Sequence, residues 1–169
     1  MVLARSDIRR LLEATPPIVE GLLNAEEQVQ PNGVDLTLKE IASFSSIGSL
    51  GYGNEARTLS DSSPLALDSL EGIHLPMGCY LVTYNEIVHL SKNIMCLALP
   101  RSSLLRCGVS VHTAVWDAGY SGRSQSLLVV YNPNGFRLYR NARIVQLVFL
   151  RLEREVTQGY QGMFQGEGI

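Results

Sequence analysis

The segment Pro100–Gly122 carries side chains that could bind phosphate groups and activate a water molecule. It contains two arginines, two serine hydroxyls and one carboxylate: Arg101, Arg106, Ser102, Ser103 and Asp117. Arginine presents a fixed fork of N–H donors to phosphate oxygens, and serine hydroxyls can bind the oxygens that remain. The spacing alone is equally typical of an arginine-rich surface loop with an aspartate in a turn.

The elements around this segment are predicted to be short strands. Five apolar, β-rich runs are separated by turn signals, and they span Gly78–Tyr84, Met95–Leu99, Val109–Val111, Ser126–Tyr131 and Ile144–Leu152. Many short strands with one small helix predict an all-β sandwich or barrel. The third run would join the two loops that carry the candidate residues.

The N-terminal part is predicted to contain a short helix and, further on, a loose hairpin. Ser6 is suited to cap a helix that includes Ile8 and ends before Pro16. The segment Ser43–Pro64 is rich in serine and glycine, so we expect a loop or a loose hairpin there. We assign no chemistry to that segment.

Asp35 lies in a run whose residues alternate between apolar and polar. From Gln30 to Leu38 this alternation predicts a half-buried strand with the Asp35 side chain pointing away from the core. One interpretation of Asp35 is therefore a solvated strand aspartate without a function.

The final segment, Gly159–Ile169, contains four glycines and is not expected to form a packed element. We expect a mobile tail unless a ligand orders it. Tyr160 and Phe164 offer aromatic faces that could cover a base, and glycines let backbone amides approach phosphates closely. A frayed terminus is the alternative.

Length and composition exclude several classes of protein. The chain of 169 residues predicts a single domain, residues 1–169. The net charge of −2 argues against binding to polymeric nucleic acid, while the arginines concentrated between Arg101 and Arg154 suit a small polyanion. Because no apolar run could span a membrane and the N-terminus lacks an apolar signal core, we expect no membrane partner and a cytoplasmic protein.

Neither the cysteines nor the histidines suggest a zinc site. Cys79, Cys96 and Cys107 show no CxxC spacing, so we expect reduced, buried thiols. The three histidines lack the HExxH arrangement of zinc proteases. A zinc enzyme is therefore disfavoured.

The candidate residues also carry a resemblance to a known family. Pro100–Gly108 resembles the PRS(S/G)LxxxG motif of the dUTPase and dCTP deaminase superfamily, and Trp116–Gly122 is similar to its DxGYxG motif. Three further segments resemble the superfamily's QPaSxDL, RxxQL and glycine-rich tail segments: Gln30–Leu36, Arg143–Leu147 and Gly159–Gly168. The resemblance covers nearly the whole chain.

The resemblance implies a fold and an assembly. It implies a distorted jelly roll or β-barrel that assembles as a homotrimer with shared sites. Residues 153–169 would form a flexible tail that closes the site. The short leading helix resembles the deaminase branch more than the compact dUTPases.

The resemblance also implies roles for single residues. Asp117 would order the attacking water and contact the sugar 3′-hydroxyl, Gln146 would help to hold that water, and Tyr120 would lie under the deoxyribose. Arg106 matches an arginine that the deaminases use. Asp35 would lie near the nucleotide sugar or the metal shell of a neighbouring site.

The phosphates of the nucleotide would be bound by Arg101, Ser102 and Ser103. Mg²⁺ is the implied cofactor, and it would bridge the phosphates, held mainly by phosphate oxygens and water and by no direct protein ligand.

The tail departs from the deaminase pattern. Met163, Phe164 and Glu167 stand where deaminases have a Lys-Tyr pair and a glutamine. Because a lysine is missing, one phosphate contact is lost, and Arg151 or Arg154 is a candidate to replace it.

The favoured function is dUTP diphosphatase, which converts dUTP and water into dUMP and pyrophosphate. Deaminases of the superfamily use a glutamate on the strand that here spans Ser124–Asn132, and this strand contains no acid. Leu127 or Val129 takes the place of that glutamate, and an aliphatic side chain cannot transfer a proton. A dCTP deaminase or an enzyme with both activities is the alternative, and a non-catalytic nucleotide-binding trimer is a third.

Overall fold

The computed structural model describes all residues, Met1–Ile169, and consists mainly of β-strands. Its helices are α1 Arg5–Leu12, α2 Ala25–Gln28 and α3 Ser102–Arg106. Its strands are β1 Val19–Glu20, β2 Val29–Gln30, β3 Gly33–Phe44, β4 Ser62–Pro64, β5 Gly72–Leu75, β6 Gly78–Tyr84, β7 Ile87–His89, β8 Ile94–Pro100, β9 Val109–His112, β10 Ser121–Gly122, β11 Gln125–Val130, β12 Phe136–Tyr139 and β13 Arg143–Arg151.

One large antiparallel sheet forms the body of the molecule. Its strands run in the order β8-β13-β3-β6-β11-β9, and β2 and β4 also pair with β3. The first half of β3 pairs with β13 and its second half with β6. Backbone hydrogen bonds between Cys96 on β8 and Trp116, in the segment after β9, connect the two ends of the sheet. The sheet is therefore a nearly closed barrel.

Side chains that alternate along the strands fill the inside of this barrel. Every second residue of β6 and of β11 is buried: Tyr80, Val82, Tyr84, Ser126, Leu128 and Val130. Leu147 and Phe149 on β13 are buried in the same core. This is the period of two that a sheet with one face toward a core requires, and burial of apolar surface at about 25 cal/mol per Å² is its main stabilisation.

The predicted all-β class and the five predicted strands are confirmed. The strands are β6, β8, β9, β11 and β13, and their ends differ from the predicted ones by at most one residue. The segment Ser43–Pro64 is a loose hairpin in which Ser49 and Thr58 exchange two backbone hydrogen bonds.

Other details differ from the expectations. The N-cap of α1 is Ala4 and not Ser6, and the Asp7 carboxylate accepts a hydrogen bond from the Ala4 N–H at 3.3 Å. Strands β5 and β12, which pair with each other, were not predicted, because four-residue strands are too short to show a clear alternation. Cys79 and Cys107 are exposed, and Cys96 alone is buried.

A separate small sheet of β1, β7 and β10 anchors the loop that follows Asp117. In β10, Ser121 pairs with His89 of β7. The His89 ring lies 2.7 Å from Ser121 Oγ through Nδ1 and 3.2 Å from Glu20 Oε2 through Nε2. Backbone and side-chain contacts therefore both fix the end of this loop.

Glu86, directly before β7, is a fully buried carboxylate. It accepts hydrogen bonds from Gln28 Nε2 at 2.7 Å, from the Thr37 N–H at 2.9 Å and from Thr37 Oγ1 at 2.6 Å. Burial raises the pKa of Glu86 above its ordinary value, although these hydrogen bonds act in the opposite direction. The folded state therefore favours the protonated form of Glu86 relative to the unfolded state.

We predict that this burial makes the stability depend on pH. Since the folded-state pKa is raised, the contribution of Glu86 is fully present below the unfolded-state pKa of about 4.3 and is lost as the pH rises through the folded-state pKa. The free energy of unfolding of Glu86→Gln minus that of the wild type should increase as the pH rises from about 4 through the raised folded-state pKa of Glu86. Urea denaturation at a fixed protein concentration measures it.

The exposed Glu153 provides the control for this experiment. Glu153→Gln makes the same substitution at the surface, so it measures the change that any Glu-to-Gln replacement causes. A difference for Glu86→Gln that stays constant with pH would show that the hydrogen bonds of Glu86 fully compensate its burial.

Candidate active site

One pocket, here called the arginine pocket, contains four of the predicted residues. It has a volume of about 330 Å³ and is lined by Gln30, Asp35, Leu99, Pro100, Arg101, Ser102, Gln146 and Val148. Arg101 lies between the end of β8 and the start of α3, and its N–H donates to the carbonyl of Ile144 at 3.1 Å. Asp35 and Gln146 are cross-strand partners on β3 and β13.

The charge of Asp35 is compensated inside this pocket. Asp35 is 1% exposed, and its Oδ2 lies 3.3 Å from Arg101 Nε, 3.5 Å from Arg143 Nη1 and 3.2 Å from Gln30 Nε2. Burial raises the pKa of Asp35 above its ordinary value, and the two guanidinium groups act against this rise. The prediction of a half-buried strand is wrong here, because residues 33–38 of β3 are all buried, and the interpretation of Asp35 as a solvated aspartate is wrong with it.

The second pocket, the aromatic pocket, contains four other predicted residues. Its volume is about 670 Å³, and it is lined by Phe44, Leu59, Ser60, Ser62, Leu81, Ala114, Val115, Trp116, Asp117, Tyr120, Ser124, Gln125, Tyr160, Phe164 and Glu167. Apolar and aromatic side chains supply most of this lining, which suits the flat faces of a base and a sugar.

The Asp117 carboxylate is the exposed acid of the aromatic pocket. Trp116, the residue before it, is buried and donates from Nε1 to Ser124 Oγ at 2.9 Å. The backbone carbonyl of Asp117 accepts from the Tyr120 N–H at 3.1 Å, which closes the turn. The carboxylate itself forms no ion pair within the chain, so both of its oxygens are open to water or a ligand.

Tyr120 connects this turn with the tail. Its ring is buried and meets the Tyr160 ring edge to face at 5.7 Å, and its hydroxyl donates to Glu167 Oε1 at 2.8 Å. Burial, together with the neighbouring Glu167, raises the pKa of Tyr120 strongly. Burial also raises the pKa of Glu167, so this tail carboxyl is less acidic than a solvated one.

The tail has polar partners along the whole turn. The Tyr160 N–H donates to the Ala118 carbonyl at 2.9 Å, and the Gly166 N–H donates to the Ser121 carbonyl at 2.8 Å. The Gln165 amide accepts from the Ser121 N–H and donates to the Gly119 carbonyl, each at 3.1 Å. The tail, for which we expected order only with a ligand, therefore has hydrogen-bond partners in this turn.

The structure does not bring all predicted residues together. The two pockets share no lining residue, so Arg101 and Gln146 lie in one and Asp117 and Tyr120 in the other. Ser103 and Arg106 are exposed on α3 and line neither pocket.

Several lining residues were missed by the sequence analysis. Gln30 lies within the motif segment Gln30–Leu36 and lines the arginine pocket, and Arg143, which begins the segment Arg143–Leu147, contacts Asp35. Leu59 and Ser60 belong to a hairpin to which no chemistry was assigned, and no local pattern indicates that it reaches a pocket.

The strand β11 offers no acid on its outward face. Leu127 and Val129 alternate with the buried residues of β11, and Leu127 pairs with His112 on β9. Gln125, on the same outward face, lines the aromatic pocket. Whether Leu127 or Val129 takes the place of the deaminase glutamate, β11 therefore supplies no carboxylate next to a bound base.

The barrel and its pockets suit a nucleotide, because one pocket offers cations for phosphates and the other offers aromatic faces. The family model described as dCTP deaminase-like matches residues 2–152. This chain belongs to the dCTP deaminase-like family.

Two archaeal relatives match most of this chain. A protein of Methanosarcina acetivorans named "Probable deoxyuridine 5'-triphosphate nucleotidohydrolase" is 49% identical over 166 residues, which are 98% of this chain and 97% of the relative. A protein of Methanocaldococcus jannaschii named "Deoxyuridine 5'-triphosphate nucleotidohydrolase" is 37% identical over 142 residues, which are 83% of this chain and 89% of that protein.

A solved structure supports the fold. The 2'-deoxycytidine 5'-triphosphate deaminase from Agrobacterium tumefaciens matches with a TM-score of 0.67 at 23% identity. The match covers 90% of this chain and 49% of that longer chain. At this identity the likeness concerns the architecture.

Two further features bear on cofactors and membranes. The chain contains no group of three or more His, Cys, Asp or Glu side chains that could hold a metal ion. None of its helices has the length and apolar composition that a membrane-spanning helix requires.

The two neighbouring serines of α3 provide a test of the arginine pocket. Ser102 lines the pocket and Ser103 does not, so Ser102→Ala should weaken binding of a non-hydrolysable deoxynucleoside triphosphate about fivefold, the loss of one neutral hydrogen bond. Ser103→Ala is the matched control and should bind like the wild type. Arg101→Ala should weaken binding more than either, because charged contacts are stronger. Equal losses for both serines, measured by calorimetry, would contradict this arrangement.

Proposed function

We propose that this chain is a dUTP diphosphatase, which hydrolyses dUTP to dUMP and pyrophosphate. The observation that carries this proposal is the open Asp117 carboxylate in the aromatic pocket, together with a β11 whose outward face has no acid. The names of the archaeal relatives support the same activity. We include in the proposal a location in the cytoplasm, where dUTP would be available as substrate.

Asp117 is proposed as the base of the reaction. A water held by Asp117 attacks the α-phosphorus, its proton passes to the carboxylate, and the bond from the α-phosphorus to the bridging oxygen breaks. Pyrophosphate leaves with the electron pair of that bond. Tyr120 would lie under the deoxyribose, where a 2′-hydroxyl would clash with its buried ring, and Tyr160 and Phe164 would cover the base.

The phosphates are proposed to bind in the arginine pocket. Arg101 is oriented by Asp35, and Ser102 and Gln146 add neutral donors on the same side. Because Asp35 already compensates two guanidinium groups and no cluster of metal ligands is present, Mg²⁺ would take its ligands from phosphate oxygens and water. The ion would neutralise phosphate charge during the displacement.

We propose that a complete site forms between subunits of a homotrimer. The attacking water requires Asp117 and Gln146 together, yet these residues line different pockets of one chain. An apolar strip lies on β8 beside the arginine pocket, where Leu97 and Leu99 are 42% and 65% exposed. Burial of this strip against a second copy would bring the aromatic pocket of one subunit to the arginine pocket of the next.

The tail is proposed to close the assembled site. Residues 153–169 would exchange part of their contacts with the turn after Asp117 for contacts with the nucleotide, and Phe164 would exclude water from the reacting phosphate. The hydrogen bonds of Gln165 and Gly166 provide the starting position for this movement.

We predict that the purified protein releases pyrophosphate from dUTP in the presence of Mg²⁺ and releases little ammonia from dCTP. The reason is that β11 lacks an acid to transfer protons on the pyrimidine. Separate incubations with dUTP and dCTP, each assayed for pyrophosphate and ammonia, measure both activities. Ammonia formed from dCTP as fast as pyrophosphate from dUTP would favour an enzyme with both activities, and binding without either product would favour a non-catalytic trimer.

Mixed trimers test the shared site. Asp117→Asn and Arg101→Ala should each be nearly inactive, since a positioned base alone contributes about 10²–10⁴-fold. If each site combines two subunits, co-refolded mixtures of the two variants should recover activity, with about a quarter of the sites carrying both wild-type residues by random mixing. Mixtures that stay as inactive as their parents would show that each site lies within one chain.

A further inference from the structure

The hairpin Ser45–Asp61, here called the arm, forms part of the aromatic pocket. Its two sides are joined by backbone hydrogen bonds of 2.8 and 2.9 Å between Ser49 and Thr58. The Ser45 N–H donates to the Asp61 carbonyl at 2.9 Å. Leu59 lies in the part of the arm that precedes β4, and it lines the aromatic pocket together with Asp117. The arm is therefore positioned to influence what that pocket binds.

Arg57 is the cationic residue of the arm, and its guanidinium donates hydrogen bonds to neutral groups. Nη1 donates to Met163 Sδ at 2.8 Å, and Nη2 donates to Asn54 Oδ1. The side chain is half-buried, and it takes part in none of the ion pairs of the chain. Arg57 therefore carries an uncompensated positive charge at a point where the arm touches the tail.

These contacts are easily exchanged for stronger ones. A thioether sulfur is a weak acceptor and an amide oxygen is neutral, whereas a hydrogen bond from a guanidinium to a phosphate oxygen is charge-assisted and about twice as strong as a neutral one. Exchanging Met163 for a phosphate oxygen would therefore lower the energy of the bound state.

In the assembled site the neighbouring subunit would supply Arg101 to the phosphates, whereas the aromatic pocket has no cation of its own. Its lining contains two carboxylates, Asp117 and Glu167, and no arginine or lysine. Arg57 is two residues from Leu59 and touches Met163, which precedes Phe164 of the same lining. Arg57 therefore places a cation at the rim of the aromatic pocket, on the side where the arm and the tail meet.

We propose that Arg57 is a further nucleotide-binding residue, which leaves Met163 and binds the β- or γ-phosphate of the substrate. This inference rests on the proposed function, because it assumes that a nucleoside triphosphate occupies the aromatic pocket. The exchange couples the arm to the tail, since the phosphate takes the guanidinium away from the tail residue that held it. The alternative is that Arg57 keeps its contact with Met163 and binds no phosphate, in which case it only attaches the tail to the arm.

Binding of two probes distinguishes phosphate binding by Arg57 from mere attachment of the tail to the arm. The probes are the imido analogue of dUTP and dUMP, which lacks the β- and γ-phosphates, with Mg²⁺ present and calorimetry as the measurement. Arg57→Gln should raise the Kd of the dUTP analogue about tenfold or more, and it should leave the Kd of dUMP unchanged. Arg57→Lys keeps the charge and should fall between Arg57→Gln and the wild type.

Two control variants complete the experiment. Arg140→Gln removes a surface arginine that pairs with Glu71, so it should bind both probes like the wild type. Met163→Leu removes the sulfur acceptor and keeps a similar volume, so it should also bind the dUTP analogue normally. A defect of Met163→Leu equal to that of Arg57→Gln would overturn the proposal, and so would an equal loss for both probes or no loss at all.

The behaviour of the wild type distinguishes a failure of the Arg57 proposal from a failure of the proposed function. If the wild type binds the dUTP analogue and hydrolyses dUTP while Arg57→Gln is unaffected, this inference alone is wrong. If the wild type neither binds the analogue nor hydrolyses dUTP, the proposed function fails and this inference fails with it.

Discussion

Strands β3 and β13 approach each other closely at Gly33. Gly33 has no room for a side chain, because a Cβ there would lie 2.0 Å from the carbonyl oxygen of Leu147. This close approach puts Asp35 opposite Gln146 on the neighbouring strand, and both line the arginine pocket. The same strand continues into the pairing with β6, so the pocket and the barrel are built by one element.

Charge compensation at Asp35 explains how a polar pocket can exist next to an apolar core. Two guanidinium groups and one amide surround the buried carboxylate, so the loss of one partner would leave a poorly compensated charge. The arrangement also restricts the Arg101 side chain, which is a condition for binding phosphate in one geometry.

The turn that carries Asp117 is held from two sides. The small sheet of β1, β7 and β10 fixes it through His89 and Ser121, and the tail covers its backbone through Gln165. A carboxylate on a loop can have a defined position only when its surroundings are rigid in this way. The tail contributes to this support through the hydrogen bonds of Gln165 and through the contact of the Tyr160 ring with Tyr120.

Local patterns in the sequence were sufficient to predict the all-β class, the main strands and four of the residues that line each pocket. These properties follow from local patterns, namely the alternation along β6 and β11 and the short motifs around Arg101 and Asp117. The motifs also carried the family resemblance, which the match over residues 2–152 confirmed. The absence of an acid on β11 was equally visible, because it depends only on the residues of one strand.

Which of these residues come into contact depends on how distant parts of the chain pack together. Asp35 looked solvated because alternation describes one strand, whereas its burial results from Arg101, Arg143 and Gln30, which other parts of the chain supply. The separation of Asp117 from Gln146 and the contact of Arg57 with Met163 likewise join positions far apart in the sequence. Such contacts depend on the path of the whole chain, and no local pattern of residues records that path.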